Sequence, residues 1–131
     1  VVLSDFQTIS QASIDEAIKL KPSISNSGKL RIVGSRSHMN QNTKDFIESQ
    51  VTNGSEIEIV SRGSSLKFCL VAEGLADVYP RFAPTMEWDT AAGQAICEAV
   101  GVNVLSLDFM VPMIYNKKDL LNPHFIVSSK S

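Results

Sequence analysis

The sequence predicts an α/β domain in which a mixed sheet is flanked by helices. Short stretches with strand character alternate along the chain with stretches of helical length, and glycine, proline and asparagine separate them. The chain has 131 residues, of which 44% are apolar and 20% charged, so it can bury the core of one globular domain. The strand order does not follow from these patterns.

The first half of the chain contains three predicted strands and two predicted helices. Ser13 and Glu16 have the spacing of a capping box, so a helix opens there, and Pro22 ends it. Polar and apolar residues alternate over residues 56–60, which is typical of a strand with one solvent-exposed face. The predicted elements are a strand at 1–9, a helix at 13–20, a strand at 30–33, a helix at 41–51 with Phe46, Ile47 and Val51 on one face, and a strand at 56–60.

The second half continues the alternation. Residues 64–74 form a nearly all-apolar helical stretch, which indicates burial on most sides. A helix rich in small residues is predicted for residues 89–100, with Gly101 as its C-terminal cap. The remaining predicted elements are strands at 76–79, 102–107 and 123–127, followed by a frayed tail over the last four residues.

Charge and cysteine content exclude several classes of protein. The formal charge is −2 and the pI about 5.6, which argues against a nucleic-acid binder. Cys69 and Cys97 lie inside apolar helical patterns and are expected to be reduced core thiols. The sequence shows no apolar run of ~20 residues and no signal-peptide pattern. These observations predict a cytoplasmic protein; a peripheral position at the inner membrane of a bacterium stays open.

The stretch around Asp89 carries the most chemical information. Asp89 lies where a loop becomes a helix, a position at which a carboxylate can be held rigidly for a hard divalent cation. Ala91, Ala92 and Gly93 would let that first turn pack closely against another element. The alternative is that Asp89 only caps the helix and complements its dipole, and spacing alone favours that alternative.

The wider sequence resembles the C-terminal hallmark of the inositol monophosphatase family. The hallmark is Trp88 and Asp89, then Ala91 and Gly93, ahead of a helix that closes with Glu-Ala-Val-Gly at 98–101. Residues 63–67 and 74–79 are also similar to the family. Residues 34–38, 115–118 and 121–125 resemble its bacterial 3'(2'),5'-bisphosphate nucleotidase branch. The resemblance spans roughly residues 30–128.

The resemblance implies the C-terminal domain of the inositol monophosphatase-like fold and a magnesium-dependent phosphatase. Such an enzyme hydrolyses 3'-phosphoadenosine 5'-phosphate to AMP and phosphate in sulfur assimilation, using two or three Mg²⁺ ions. Asp89 matches the family's C-terminal metal carboxylate and would also lie near a substrate hydroxyl. Trp88 is expected to be a packing anchor rather than a stacking platform for adenine. Glu87 either orients the Asp89 loop or is exposed.

Four further residues match positions that contact the nucleotide in this branch: His38, Ser64, Lys67 and Arg81. Lysine and arginine are natural partners of phosphate oxygens, and inositol monophosphatases tend to carry neither at the matching positions. Lys67 could instead extend from an apolar helix to water, and His38 could be an ordinary loop residue.

The chain lacks the family's two N-terminal acidic signatures. An adjacent acidic pair and an Asp-Pro-x-Asp-Gly-Thr motif are absent, and none of the five prolines follows an aspartate. We therefore expect residues 1–131 to be the C-terminal half of a two-domain enzyme, inactive without the missing N-terminal half, and prone to self-association through an exposed apolar face. Two alternatives remain: an inositol phosphate phosphatase of the same family, and a non-catalytic module that binds a phosphorylated metabolite.

Overall fold

A computed structural model describes residues 10–23, 28–34, 39–63 and 65–129. The predicted fold class is confirmed, because these residues form a mixed sheet accompanied by helices. The strand predicted for residues 1–9 lies outside the described residues. The elements are α1 Gln11–Asp15, β1 Lys29–Val33, α2 Gln41–Thr52, β2 Glu56–Val60, α3 Leu66–Ala72, β3 Val78–Arg81, α4 Glu87–Ala99, β4 Asn103–Ser106 and β5 Phe125–Ser128.

The described strands form one sheet in the order β2-β1-β3-β5-β4. Strand β1 runs parallel to β2 and β3, whereas β5 runs antiparallel to both of its neighbours. The carboxyl ends of β1, β2 and β3 therefore share one edge, and β5 starts at that edge with Phe125 opposite Arg81. Ligands of open α/β sheets bind outside the carboxyl ends of parallel strands, so this edge is where a site is expected.

Several predicted boundaries are wrong for local reasons. Helix α1 begins after Ser10 rather than Ser13, because the Ser10 hydroxyl accepts from the Ser13 N–H at 3.2 Å, and the helix is only five residues long. Helix α4 begins at Glu87, two residues early, because Asp89 occupies the third helical position. Ser128 is the last residue of β5 and pairs with Val78, so it is not part of a frayed tail.

The core lies between the sheet and the packed helices α3 and α4. Three aromatic rings fill its centre: Phe68 lies 5.5 Å from Tyr79 and 5.6 Å from Phe125, measured between ring centroids. Cys69 and Cys97 are both free thiols, as predicted, but only Cys97 belongs to the core, since Cys69 is half-buried. Burial raises the pKa of Cys97 to about 12. A thiol with so high a pKa is unreactive, which fits a structural role.

Gly93 sets the approach of α4 to α3. A Cβ built on Gly93 would lie 2.5 Å from Cγ of Phe68, closer than packed atoms allow, so only glycine fits. The predicted close packing is thus confirmed at Gly93, whereas Ala91 and Ala92 are exposed. The contact matters for the site because Phe68 is adjacent to Lys67 at the start of α3.

Exposed apolar side chains follow β4. Phe109 is 82% exposed and Ile114 is 68% exposed, and Met110, Val111, Leu120 and Leu121 are also exposed. The apolar face expected from the sequence, and self-association through it, stay predictions. Across the described ranges, no helix is long and apolar enough to cross a membrane.

Candidate functional site

Three of the predicted site residues line one pocket. Lys67 from the first turn of α3, Arg81 from the end of β3 and Asp89 from the first turn of α4 face a cavity of about 460 Å³. The other two, His38 and Ser64, lie outside the described residues. The remaining walls come from Ser65, Phe68, Tyr79, Pro84, Thr85, Trp88, Thr90 and Phe125.

The topology explains why residues so distant in sequence meet. Helix α3 follows β2, and the loop to α4 follows β3, so both helices begin at the carboxyl edge of the parallel strands. The N-termini of helices carry partial positive charge, which favours an anion at this edge. The sheet order therefore assembles the pocket, and that order was not derivable from the sequence.

Lys67 and Arg81 give the pocket unbalanced positive charge. In the described part of the chain, neither forms an ion pair, and Nε of Arg81 is buried without a hydrogen-bond partner. Burial lowers the pKa of Lys67, and the nearby Arg81 charge lowers that pKa further. Nζ of Lys67 lies 5.7 Å from the centroid of the Tyr79 ring. A ligand with anionic oxygens would relieve both the desolvation and the repulsion.

Asp89 both caps α4 and borders the pocket. Its Oδ2 accepts a hydrogen bond from the Met86 N–H at 2.8 Å, and the Asp89 N–H donates to the Met86 carbonyl at 2.9 Å. The capping role that spacing favoured is therefore present. Asp89 is nevertheless exposed, and no hydrogen bond among the described residues uses its Oδ1. One carboxylate oxygen holds the helix and the other is available to a ligand.

The described residues do not form a complete magnesium site. Among them, no group of three or more histidine, cysteine, aspartate or glutamate side chains could hold a metal ion. Mg²⁺ requires octahedral oxygen coordination, usually from one or two carboxylates with waters and substrate phosphates. Asp89 fits the role of one such carboxylate.

Glu87 anchors the segment after residue 113 to the start of α4. It is buried, and its carboxylate accepts from the Asn116 N–H at 2.7 Å, the Lys117 N–H at 3.1 Å and Nζ of Lys117 at 2.6 Å. The hydrogen bond from the Lys117 ammonium lowers the pKa of Glu87. The sequence left two alternatives for Glu87, an exposed side chain or one that orients the segment around Asp89. The buried position and these hydrogen bonds favour the second.

Sequence reasoning missed a buried polar network beside Asp89. Oγ1 of Thr90 accepts from Nδ2 of Asn122 at 2.9 Å and lies 3.1 Å from the hydroxyl of Tyr115, which donates its one hydrogen to Oε1 of Gln94 at 2.7 Å. The sequence contained one signal for this network. Positions 87, 90 and 94 are spaced so that they lie on one face of the helix, and all three carry polar residues. Such a face needs polar partners when it is buried.

The expectation for Trp88 is wrong. Its side chain is 68% exposed and borders the pocket, so it does not anchor packing in the described structure. The buried face of α4 contains Glu87, Thr90, Gln94 and Cys97, which are three to four residues apart. Trp88 lies off that face and therefore points away from the core.

Comparison with known proteins gives one family. The model of the inositol monophosphatase family matches residues 6–131. The crystal structure of CysQ from Bacteroides thetaiotaomicron, a bacterial member of that family, superposes with a TM-score of 0.81 at 46% sequence identity. The superposition covers 98% of this chain and 47% of the CysQ chain.

Two further relatives extend the comparison. The 3'(2'),5'-bisphosphate nucleotidase CysQ of Escherichia coli K12 is 46% identical over 98 residues, which is 74% of this chain and 38% of the relative. This chain thus spans less than half the length of these two relatives named CysQ. An inositol monophosphatase and NADP phosphatase solved with Mg²⁺ and phosphate shares the fold, with a TM-score of 0.60 at 20% identity over 88% of this chain and 41% of its own.

Proposed function

The chain belongs to the inositol monophosphatase family, and from that premise we propose that it is the C-terminal, substrate-binding part of a magnesium-dependent 3'(2'),5'-bisphosphate nucleotidase. The complete enzyme would hydrolyse 3'-phosphoadenosine 5'-phosphate to AMP and phosphate. The relatives CysQ from Escherichia coli and Bacteroides thetaiotaomicron support this branch, since each is 46% identical to the chain.

The observation that carries the proposal is the charge pattern of the pocket. Lys67 and Arg81 lie on the same cavity as Asp89 and have no ion-pair partner in the described residues. A bisphosphate nucleotide has one phosphate that is cleaved and one that must only be held. We assign the held phosphate to Lys67 and Arg81, and the cleaved one to the Asp89 side. A volume of about 460 Å³ lies within the usual range for small-molecule sites.

Magnesium belongs to the complete enzyme in this proposal. Bound Mg²⁺ would activate a water molecule and neutralise charge on the phosphoryl oxygens. Asp89 would supply one oxygen ligand, and an N-terminal half would supply the other carboxylates for two or three ions. The family member solved with Mg²⁺ and phosphate supports the choice of metal. His38 and Ser64 remain predicted nucleotide contacts.

Removing either positively charged side chain of the pocket should affect a nucleotide with two phosphates more than a nucleotide with one. In the complete enzyme, we expect Lys67→Ala and Arg81→Ala each to raise KM for 3'-phosphoadenosine 5'-phosphate by about 10- to 100-fold, the loss of one charge-assisted hydrogen bond. Hydrolysis of 3'-AMP, which lacks the second phosphate, should change less than about threefold. Steady-state kinetics with both substrates measures the difference.

Lys118→Ala provides the control for the cation substitutions, because Lys118 is an exposed lysine away from the pocket. It should leave both KM values unchanged. Faster turnover of inositol monophosphate than of the bisphosphate nucleotide by the unsubstituted enzyme would favour the inositol phosphatase instead. Equal losses with both nucleotide substrates would contradict the assignment of the held phosphate.

A second candidate, a non-catalytic binding module, is favoured by the absence of a metal-ligand cluster among the described residues. For the 131-residue chain alone, both readings give the same expectation: it should release no phosphate at any Mg²⁺ concentration. Phosphate release measured with and without an N-terminal half that carries the acidic motifs distinguishes the two. Turnover restored by that half supports the enzyme, and metal-dependent turnover by the chain alone would contradict both.

A further inference from the structure

We propose that Asn122 is a positioning residue that fixes the direction of the Asp89 carboxylate from outside the pocket. The inference deepens the proposed function. Only its kinetic part rests on that function, because it assumes that Asp89 takes part in the reaction. Asn122 is 6% exposed and is not among the residues that line the pocket. Any effect it has on Asp89 must therefore pass through the residues it contacts beside Asp89, which include Met86 and Thr90.

The N-terminal turn of α4 is held by groups distant in sequence. The residue before the helix is Met86, whose side chain has no oxygen to accept from the first helical N–H groups. The Glu87 N–H donates instead to the carbonyl of Leu120 at 3.0 Å, and the Met86 N–H donates to Oδ2 of Asp89 at 2.8 Å. The turn therefore depends on the segment that ends at Asn122.

The Asn122 side chain reaches three acceptors of this turn. Its Nδ2 lies 2.9 Å from the Met86 carbonyl oxygen, 2.9 Å from Oγ1 of Thr90 and 3.2 Å from Oγ1 of Thr85. The amide has two hydrogens, so the longer contact with Thr85 shares a hydrogen with one of the two shorter bonds. The Asn122 N–H also donates to the Thr85 carbonyl at 2.9 Å. A carbonyl can only accept, so the amide nitrogen of Asn122, rather than its oxygen, must face Met86.

These contacts fix Met86 on both sides. The peptide group that precedes Met86 donates to Asp89, and the peptide group that follows it accepts from Asn122. A change at Asn122 that turns the second peptide group also displaces the first, which holds Oδ2 of Asp89. Because Oδ2 is held by the Met86 N–H, the direction of Oδ1 is restricted as well. The chain of contacts is Asn122, Met86, Asp89.

The test replaces the donor of Asn122 by an acceptor of equal size. In the 131-residue chain, Asn122→Asp should speed hydrogen exchange of the Met86 amide by about tenfold. In the complete enzyme, the same substitution should lower kcat by about 10- to 100-fold with KM for the nucleotide nearly unchanged. If Asn122→Asp does not fold, Asn122→Ser, which is too short to reach Met86, should give the same exchange result.

Tyr115→Phe is the matched control. It removes the hydroxyl that hydrogen-bonds Gln94 and Thr90 in the same network, and that hydroxyl has no hydrogen bond with Met86 or Asp89. It should lower the melting temperature by a similar amount and leave Met86 exchange and kcat unchanged. A purely structural role for Asn122 predicts instead that both variants behave alike.

A double-substitution cycle with Asp89→Asn decides the pathway of the effect. If Asn122 acts through Asp89, adding Asn122→Asp to Asp89→Asn should lower kcat by less than about twofold more, since coupled residues are not additive. Losses that multiply, or Met86 exchange that does not change, would overturn the inference. The exchange measurement does not need turnover, so it tests Asn122 even if the complete enzyme fails to hydrolyse the nucleotide.

Discussion

Asp89→Asn is expected to lower kcat/KM of the complete enzyme by more than about 100-fold. Losing a residue that hydrogen-bonds a metal ligand typically costs about 10- to 100-fold, and losing the ligand itself should cost more. Asparagine keeps an oxygen that can accept from the Met86 N–H, so the cap at 2.8 Å can persist. The substitution therefore removes charge without unfolding α4. Phosphate release from 3'-phosphoadenosine 5'-phosphate at several Mg²⁺ concentrations measures the effect.

The control for Asp89→Asn is Asp108→Asn, which neutralises an exposed aspartate outside the pocket. It should leave kcat/KM unchanged, and thermal unfolding should show that both variants are folded. Full magnesium-driven hydrolysis by Asp89→Asn would contradict the whole functional proposal. It would leave Asp89 with its capping role alone.

Asp77→Ala is expected to lower the free energy of unfolding by about 3–5 kcal/mol, the usual cost of removing one partner of a buried ion pair. Asp77 is 2% exposed, and its carboxylate accepts hydrogen bonds from Nη2 of Arg31 at 2.9 Å and from Nε of Arg31 at 3.1 Å. It also accepts from the Arg31 N–H at 2.7 Å. Truncation would leave a guanidinium without its charge partner and a backbone donor unsatisfied. Denaturant unfolding of the chain measures the loss.

The exposed pair of Lys29 and Glu56 is the natural comparison for Asp77. These side chains are 43% and 68% exposed and lie 2.8 Å apart. Glu56→Ala should cost less than about 1 kcal/mol, since solvent screens surface ion pairs. Equal losses for Glu56→Ala and Asp77→Ala would show that burial does not govern the strength of the Arg31 pair.

The sequence was sufficient for elements whose signal is local. The alternation at residues 56–60 predicts β2 with its observed bounds, and the small-residue stretch with Gly101 predicts α4 to within two residues at each end. Gly101 has a φ of +81°, the left-handed conformation that a glycine cap adopts. Such patterns work because hydrogen bonds within a helix and side-chain alternation along a strand are set by near neighbours.

Features set by distant contacts were not predictable. The sheet order, the burial of Glu87 and the exposure of Trp88 all depend on which segment packs against α4. Thr90 and Asn122 are 32 residues apart, and nothing in their spacing indicates that they share a hydrogen bond. Lys67 and Arg81 were identified by resemblance alone and Asp89 by resemblance together with its place at a helix start, and their position on one cavity follows from the sheet order.

Strand β5 has a consequence for biosynthesis. It is the last described strand along the chain, yet it lies between β3 and β4 and pairs with both. During translation, β4 thus leaves the ribosome before β5, and until residues 125–128 follow it, its only pairing in the described structure is the isolated bridge of Leu105 with Pro112. Phe125, opposite Arg81, arrives in the same late step. Because Phe125 lines the pocket, the wall of the pocket is completed only when this strand has been synthesised.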